Sequence, residues 1–110
     1  MNTTFETSYF AVRISSGHDA LIEVSGDLDL AAVAVLDAAL QKLDLRAARR
    51  VVLDLRRLAF IDAAGLHAVL DLHAACLNGS AALTIVPGPW NVQRVFELTG
   101  ADQLLAVSSG

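Results

Sequence analysis

The sequence has few of the features that mark secreted, membrane-spanning or disordered proteins. A single cysteine, Cys76, excludes an internal disulfide and suits a reducing cytosol. No apolar run approaches the ~20 residues of a membrane-spanning helix, and the longest, residues 30–36, ends at Asp37. Residues 1–8 are polar and lack a basic segment followed by an apolar block, so no secretory signal is expected. We therefore expect a cytoplasmic protein without membrane insertion.

Positive charge is also scarce. The chain has 8 Lys and Arg against 12 Asp and Glu, for a net charge of −4, and no basic face or arginine-rich tail. This balance argues against a nucleic-acid partner, which basic side chains would have to neutralise. The hydrophobic fraction of 55% excludes intrinsic disorder. With 110 residues, no internal repeat and no linker, we expect one domain over residues 1–110, with its core at about 8–107.

Alternating apolar residues predict a β-hairpin in the first quarter of the chain. Phe10, Val12 and Ile14 alternate with smaller or polar residues within the segment 9–15. A second alternating segment covers residues 20–25, and the Ser-Gly-His-Asp sequence at 16–19 is typical of a turn. Together they predict two antiparallel strands.

After the hairpin, helical and strand patterns take turns along the chain. Helical spacing of apolar residues predicts a helix over residues 30–45. Short apolar runs at 51–55 and 83–86 are typical of buried strands. Further helices are predicted at 63–78, stopped by a glycine, and at 89–99, beginning with a proline. The fold class is therefore α/β: one mixed sheet, antiparallel at the hairpin and parallel in the centre, packed with helices.

The second predicted helix has an apolar arc and an outer side that is small and only lightly charged. The arc consists of Leu66, Val69, Leu70, His73, Cys76 and Leu77. The outer side consists of His67, Asp71, Ala75 and Asn78, with Ala68 and Leu72 at its edge. Solvated helices usually carry more Lys and Glu, so this side is interpreted as a contact face.

Three aspartates stand where predicted strands lead into helices. Asp62 directly precedes the second helix, and capping the helix explains its presence better than acid chemistry does. Asp29 is the candidate cap of the first helix, and Asp27 lies two residues before it. A metal pair of Asp27 and Asp29 is not expected.

Other candidate sites are weak. His67 and His73 are six residues apart, which places them on different faces of a helix, and His73 with Cys76 supplies only two metal ligands. Cys76 lies on the apolar arc and is interpreted as a buried, inert thiol. No glycine-rich phosphate loop or nucleophile motif is present. We therefore expect no metal, no cofactor and no enzymatic activity.

For Trp90, a core-edge position is favoured over an exposed anchor for a partner.

Four segments carry a family resemblance. In order, they read Gly-Asp-Leu-Asp (26–29), Val-Val-Leu-Asp-Leu (51–55), Phe-Ile-Asp-Ala-Ala-Gly-Leu (60–66) and Val-Phe-Glu-Leu-Thr-Gly (95–100). They are similar to the Gly-Glu-Leu-Asp turn, the central strand, the Phe-Ile-Asp-Ser-Ser-Gly-Leu loop and the closing Leu-Thr-Gly of the STAS domain family. This family comprises the sulfate-transporter and anti-sigma-factor-antagonist domains. The matching order and spacing extend over nearly the whole chain.

One departure from the family pattern affects function. In switchable members, the residue after the loop aspartate is a Ser or Thr that a partner kinase phosphorylates. Here that position is Ala63, and Ala64 follows. A phosphate would add about −1.5 to −2 charges and repel a docked apolar or acidic partner surface. The resemblance therefore implies a binding-competent form that is not switchable at this loop.

The resemblance implies a bacterial anti-sigma factor antagonist that regulates transcription by protein binding. Its partner would be an anti-sigma factor of the histidine-kinase-like ATPase fold, whose capture frees a sigma factor. Two alternatives keep the fold: a STAS subunit that binds and steadies an ABC-transporter ATPase, or a scaffold component of a larger STAS assembly. Homodimer formation stays open. The expected partner contacts are Asp27, Asp29, Asp62, Ala63, Ala64, Gly65, His67, Ala68, Asp71 and Leu72.

Overall fold

The computed structural model describes residues 2–17 and 19–105. His18 of the predicted turn and residues 106–107 of the predicted core lie outside this described part. The strands are β1 (Asn2–Glu6), β2 (Phe10–Ser15), β3 (Asp19–Leu28), β4 (Arg50–Ile61) and β5 (Ala82–Val86). The helices are α1 (Leu30–Leu40), α2 (Ala63–Asn78) and α3 (Trp90–Thr99), followed by one 3₁₀ turn (Ala101–Gln103).

The five strands form one mixed sheet in the order β1-β2-β3-β4-β5. β1, β2 and β3 pair antiparallel, while β3, β4 and β5 pair parallel. The α/β fold class and the mixed pairing predicted from the sequence are thereby confirmed. The bounds of α2 match the predicted helix. α1 ends at Leu40 instead of residue 45. The residues after Leu40 form turns, with hydrogen bonds such as the one from Lys42 N to Ala39 O at 3.0 Å.

Three strands differ from the prediction, and one of them, β3, continues to Leu28 instead of ending at residue 25. β1 occupies the polar N-terminal segment, where no strand was predicted. Its polar residues suit an edge strand, and half-buried Phe5 packs on the core. β4 runs to Ile61, not Leu55, because a register shift between the Asp54 and Arg57 pairs lets two arginines interrupt the apolar pattern without ending the strand.

One face of the sheet carries the core. Phe10, Val12, Ile22, Leu53 and Ile85 project from this face and are almost fully buried. α1 packs on β1 to β3, and α2 packs on β4, β5 and α1. Right-handed crossovers place both helices on this face. Burying one such side chain stabilises the fold by about 1.5–3 kcal/mol.

α3 covers the part of β4 that extends beyond β5. The last β4–β5 pair is Asp54 with Val86, and α3 packs against β4. The side chain of Asn91 donates a hydrogen bond to the Ala59 carbonyl at 2.7 Å. No helix in the described part of the chain is both long and apolar enough to cross a membrane.

Asp54 is a buried carboxylate held by one neighbour. Its Oδ1 accepts from the Arg56 backbone N–H at 3.0 Å, and its Oδ2 accepts from Arg56 Nη2 at 2.8 Å. The side-chain hydrogen bond from Arg56 lowers the pKa of Asp54 below its ordinary value, and outweighs the opposite effect of burial. The pair thereby keeps Asp54 ionised within β4.

Candidate functional site

The parallel strands β3 and β4 end side by side, and each leads straight into a helix. Leu28, the last residue of β3, is the register partner of Ile61, the last residue of β4. Asp29 and Asp62 follow these residues and precede α1 and α2. Both aspartates therefore lie at the carboxyl end of the sheet, where parallel α/β folds commonly place their functional loops.

Both aspartates cap helices, as predicted. Oδ1 of Asp29 accepts a hydrogen bond from Ala32 N at 3.0 Å, and Oδ1 of Asp62 accepts one from Gly65 N at 2.9 Å. Each aspartate also lies at the positive end of a helix dipole, where a negative charge stabilises the helix. The residues directly after the caps, Leu30 and Ala63, are both exposed.

The loop after β4 and the end of β3 are in direct contact. Asp62 N donates to the Leu28 carbonyl at 3.3 Å. A Cβ atom on Gly65 would lie 2.3 Å from the same carbonyl oxygen. Only glycine allows α2 to start this close to β3, so Gly65 sets the distance between the two loops and is itself buried.

Gly26 brings a third segment to this end of the sheet. It adopts φ +88°, and a Cβ atom there would overlap the Tyr9 carbonyl oxygen at 2.0 Å. The next residue, Asp27, donates its backbone N–H to that oxygen at 3.0 Å. The turn before β2 is thereby joined to the β3 end, and half-exposed Tyr9 lies beside Asp27. We call the surface formed by Asp27, Asp29, residue 30 and residues 60–63 the capped end.

The capped end spans both faces of the sheet. Leu28 and Ile61 are buried on the core face, so alternation along the strands places Asp27 and its partner Phe60 on the opposite face. Phe60 is 48% exposed. The predicted contacts at Asp27 and on α2 are therefore turned to different sides and meet only at the end of the strands.

On α2, the structure keeps some predicted contact residues at the surface and buries others. Ala63, His67 and Asp71 are exposed. Ala68 and Leu72, which the sequence placed at the outer edge, are 6% and 4% exposed. Their side chains belong to the core, so their assignment to the contact face is wrong.

The wrong assignment of Ala68 and Leu72 arises because the sequence pattern predicted the wrong rotation of α2 about its own axis relative to the sheet. Leu77, assigned to the apolar arc, is 65% exposed, whereas Leu66, Val69 and Cys76 are buried as predicted. Twelve of the sixteen α2 residues are small or apolar, so the sequence distinguishes the faces of the helix only weakly. Packing against β4, β5 and α1 selects the buried face.

The charged side chains of this region are negative: Asp71 is exposed, and Asp27, Asp29 and Asp62 are half-buried. Asp27, Asp29, Asp62 and Asp71 carry carboxylates, and the ion pairs of the described residues, Arg13–Glu23 and Arg56–Asp54, involve none of them. Carboxylates around the exposed Phe60 and Ala63 fit a partner surface that has apolar side chains opposite these two residues and basic side chains around them.

Cys76, His67 and His73 belong to no cluster of metal-binding side chains among the described residues. Cys76 is a free, buried cysteine, and burial raises the pKa of its thiol, which disfavours the reactive thiolate. Within residues 2–17 and 19–105, no three His, Cys, Asp or Glu side chains come together as metal ligands could.

Trp90 lies at the surface. It is the first residue of α3, is 74% exposed, and has the guanidinium carbon of Arg94 5.2 Å from its ring centroid. The core-edge position favoured by the sequence is therefore wrong.

The sequence analysis also missed Tyr9 and Leu30 as exposed side chains at or beside the capped end. Leu30 directly follows a cap, as Ala63 does, and that equivalence is the signal that could have identified it.

The comparisons with known proteins agree with this architecture. A family model described as "Mlab, STAS domain" matches residues 12–106. No curated protein sequence matches the chain significantly. The structure is similar to an anti-sigma factor antagonist from Mycobacterium paratuberculosis, with a TM-score of 0.83 and 17% identity over 96% of this chain and 91% of that one.

Two further solved structures share the fold. The unphosphorylated anti-sigma factor antagonist SpoIIAA, a Bacillus cell fate determinant, aligns with a TM-score of 0.69 and 19% identity, covering 91% of this chain and 88% of that one. The STAS domain of an antisigma-factor antagonist from Rhodobacter sphaeroides aligns with a TM-score of 0.62 and 25% identity, covering 73% and 88%. With the family model extending from β2 to the last described residues, the chain belongs to the STAS domain family.

Proposed function

We propose that this protein is an anti-sigma factor antagonist that binds an anti-sigma factor of the histidine-kinase-like ATPase fold and so frees a sigma factor. The observation that carries this proposal is the capped end. At this end, Asp29 and Asp62 cap the first turns of α1 and α2, and Ala63, the residue after the second cap, is exposed. The shared fold of the mycobacterial antagonist supports the same function.

The proposed docking surface bends around the ends of β3 and β4, with Asp27 and Phe60 on one side of the sheet and α2 on the other, and it combines apolar and acidic side chains. Phe60 and Ala63 supply exposed apolar area, while Asp27 and Asp71 are free of ion pairs among the described residues. Interfaces of this kind place aromatic anchors at the centre and charged groups at the rim. His67 extends the surface along α2. Gly65 contributes through its backbone, because it sets the loop geometry.

The second part of the proposal is that docking is permanent. SpoIIAA is known in an unphosphorylated and a phosphorylated form. In this chain Ala63 and Ala64 follow the capping Asp62 and have no hydroxyl that could accept a phosphate. The charge of about −1.5 to −2 that a phosphate would bring therefore never arises at this loop.

The absence of the hydroxyl also favours a second candidate function. A constitutive contact suits a STAS subunit that steadies an ABC-transporter ATPase, or a scaffold copy in a larger STAS assembly. Both would use the same exposed loop with Ala63. The identity of the bound partner separates these functions from the first.

The test is capture of partners from the native host with three tagged baits: wild type, Ala63→Asp and Ala82→Asp. An aspartate at position 63 is compatible with the helix dipole, so the variant is expected to fold. Ala82 is exposed at the start of β5, at the opposite end of the sheet, and supplies the matched control. Bound proteins are identified by mass spectrometry, and the affinity is then measured by calorimetry with the purified partner.

We expect an anti-sigma factor of the kinase-like fold on the wild-type and Ala82→Asp baits, with at least ~10-fold weaker binding of Ala63→Asp. A transporter ATPase with the same dependence on position 63 would establish the second function. Unchanged affinity of Ala63→Asp for the captured partner would place the interface elsewhere and contradict the role of the capped end.

A further inference from the structure

β1 is an edge strand that lacks several of the features that usually prevent an edge from pairing with another strand. It reads Asn-Thr-Thr-Phe-Glu and pairs with β2 in an unbroken register from Asn2↔Ser15 to Glu6↔Ala11. Natural edge strands are usually protected by proline, lysine, a bulge or a covering loop. β1 contains no proline, lysine or bulge, and Glu6 is its only charged residue.

The hydrogen-bond pattern shows which backbone groups of β1 point outward. Thr7 N donates to Phe10 O at 2.7 Å, so these two residues form a hydrogen-bonded pair of the hairpin. In an antiparallel pair, bonded and non-bonded pairs alternate. Thr3 and Phe5 therefore bond to β2, whereas the N–H and C=O groups of Thr4 point away from it.

The other side of β2 supports the same assignment. Asp27 N donates to Tyr9 O at 3.0 Å, which directs the odd-numbered residues of β2 toward β3 and the even-numbered ones toward β1. Phe10 and Val12 then bond to β1 through their partners Thr7 and Phe5. Asn2, Thr4 and Glu6 consequently present their backbone donors and acceptors at the outer edge.

We propose that this edge joins a second copy of the chain, antiparallel and about a two-fold axis at Thr4. Two five-residue strands pair completely only when their middle residues face each other. In that register Thr4 opposes Thr4 of the second copy, Thr3 opposes Phe5, and Asn2 opposes Glu6. No like charges meet, and the outward backbone groups of Asn2, Thr4 and Glu6 form bonded pairs across the axis.

The helix beside β1 does not oppose this pairing. α1 packs on β1 and β2. Its exposed residues are Leu30, Asp37 and the three alanines Ala31, Ala34 and Ala38, and Asp37 is the only charged residue of the helix. The helix therefore brings at most one charge to the core side of the edge. The sheet then continues through both copies, and the capped end of each copy stays free.

The contact area of one short strand pair is below that of standard stable interfaces. We therefore expect association with a dissociation constant of roughly 1 μM or weaker, visible as a concentration-dependent mass. The first measurement is sedimentation equilibrium of the full chain between about 0.1 μM and 1 mM, a range that begins below the tightest expected dissociation constant.

Charge-swap variants at Thr4 test the register. Thr4 is exposed, so Thr4→Lys and Thr4→Glu are expected to leave the monomer fold intact, which circular dichroism checks. Each variant alone places like charges on the axis and should dimerise at least ~10-fold more weakly. An equimolar mixture of the two should recover the dimer, because lysine then opposes glutamate. Ala82→Lys, on β5 at the other edge of the sheet, is the matched control and should dimerise like wild type.

Amide hydrogen exchange of the wild type gives a readout that does not depend on any variant. Protection at Thr4 should rise with protein concentration, while protection at Thr3 and Phe5, already bonded to β2, should change little. A monomer at all concentrations, unchanged dimerisation of both Thr4 variants, dissociation caused by Ala82→Lys, or exchange at Thr4 that ignores concentration would each overturn the proposal. It does not rest on the proposed function, because the partner assay uses a different surface.

Discussion

Replacing Gly65 with alanine has two opposite effects on stability, one from helix propensity and one from the contact between α2 and β3. Within a helix, alanine is favoured over glycine by about 1 kcal/mol, so α2 alone predicts stabilisation. In the folded protein, a Cβ atom at this position would lie 2.3 Å from Leu28 O and 2.9 Å from Ile61 Cγ1. Both separations are below van der Waals contact, so the start of α2 has to move away from β3.

The expected size of the effect follows from these contacts. Overpacking of this kind costs about 1–3 kcal/mol. Moving α2 also weakens the hydrogen bond from Asp62 N to Leu28 O, which contributes about 1 kcal/mol. After subtraction of the gain in helix propensity, Gly65→Ala should lower the free energy of unfolding by about 1–3 kcal/mol.

Urea unfolding at neutral pH measures this difference. For a chain of this size the denaturation midpoint should fall by roughly 1 M. Gly17→Ala is the matched control, because a Cβ atom there meets nothing closer than Asp19 O at 3.9 Å. Its free energy of unfolding should stay within about 0.5 kcal/mol of the wild-type value. A Gly65→Ala midpoint at or above that of wild type would refute the close approach of α2 to β3.

Three further predictions follow from single contacts. Asp62→Ala removes the cap of α2 and should cost about 1 kcal/mol of unfolding free energy, whereas Asp62→Asn should retain most of it; thermal unfolding compares them. Because the hydrogen bond from Arg56 lowers the pKa of Asp54, the stability from this pair is present above the ordinary carboxyl value and is lost as pH falls through the lowered one. Asp54→Asn should therefore be less stable than wild type at pH 7, with a difference that shrinks below about pH 4 in acid titrations of stability; a constant difference would contradict the shift. Trp90, the single tryptophan, should be quenched by acrylamide in the folded protein nearly as well as in urea, and Trp90→Ala should change stability by less than about 0.5 kcal/mol; a strongly protected indole would place Trp90 in the core.

Much of the candidate site could be predicted because its signals are local. An aspartate before a helix binds backbone N–H groups within three residues, so Asp29 and Asp62 act as caps whatever the rest of the fold does. The two capping aspartates allowed the starts of α1 and α2 to be predicted, and Ala63 is the residue directly after the second cap.

The orientation of the contact residues could not be predicted in this way. The sequence pattern does not distinguish the faces of a nearly uncharged helix, so Ala68 and Leu72 were assigned to the wrong side of α2. The side to which Asp27 and Phe60 point depends on the register between β3 and β4, which contains irregularities. Both facts arise from contacts between segments that are distant in the chain.

The sequence by itself determined the order of strands and helices, the caps and the one-domain α/β class, because periodicity, turn residues and capping act over a few residues. Tertiary structure decided the rest. It recruited the polar segment Asn2–Glu6 as an edge strand by pairing with β2, extended β4 to Ile61 by pairing with β3, and left Trp90 at the surface. Each of these outcomes depends on which distant surface is available for hydrogen bonding or burial, and no short stretch of sequence contains that information.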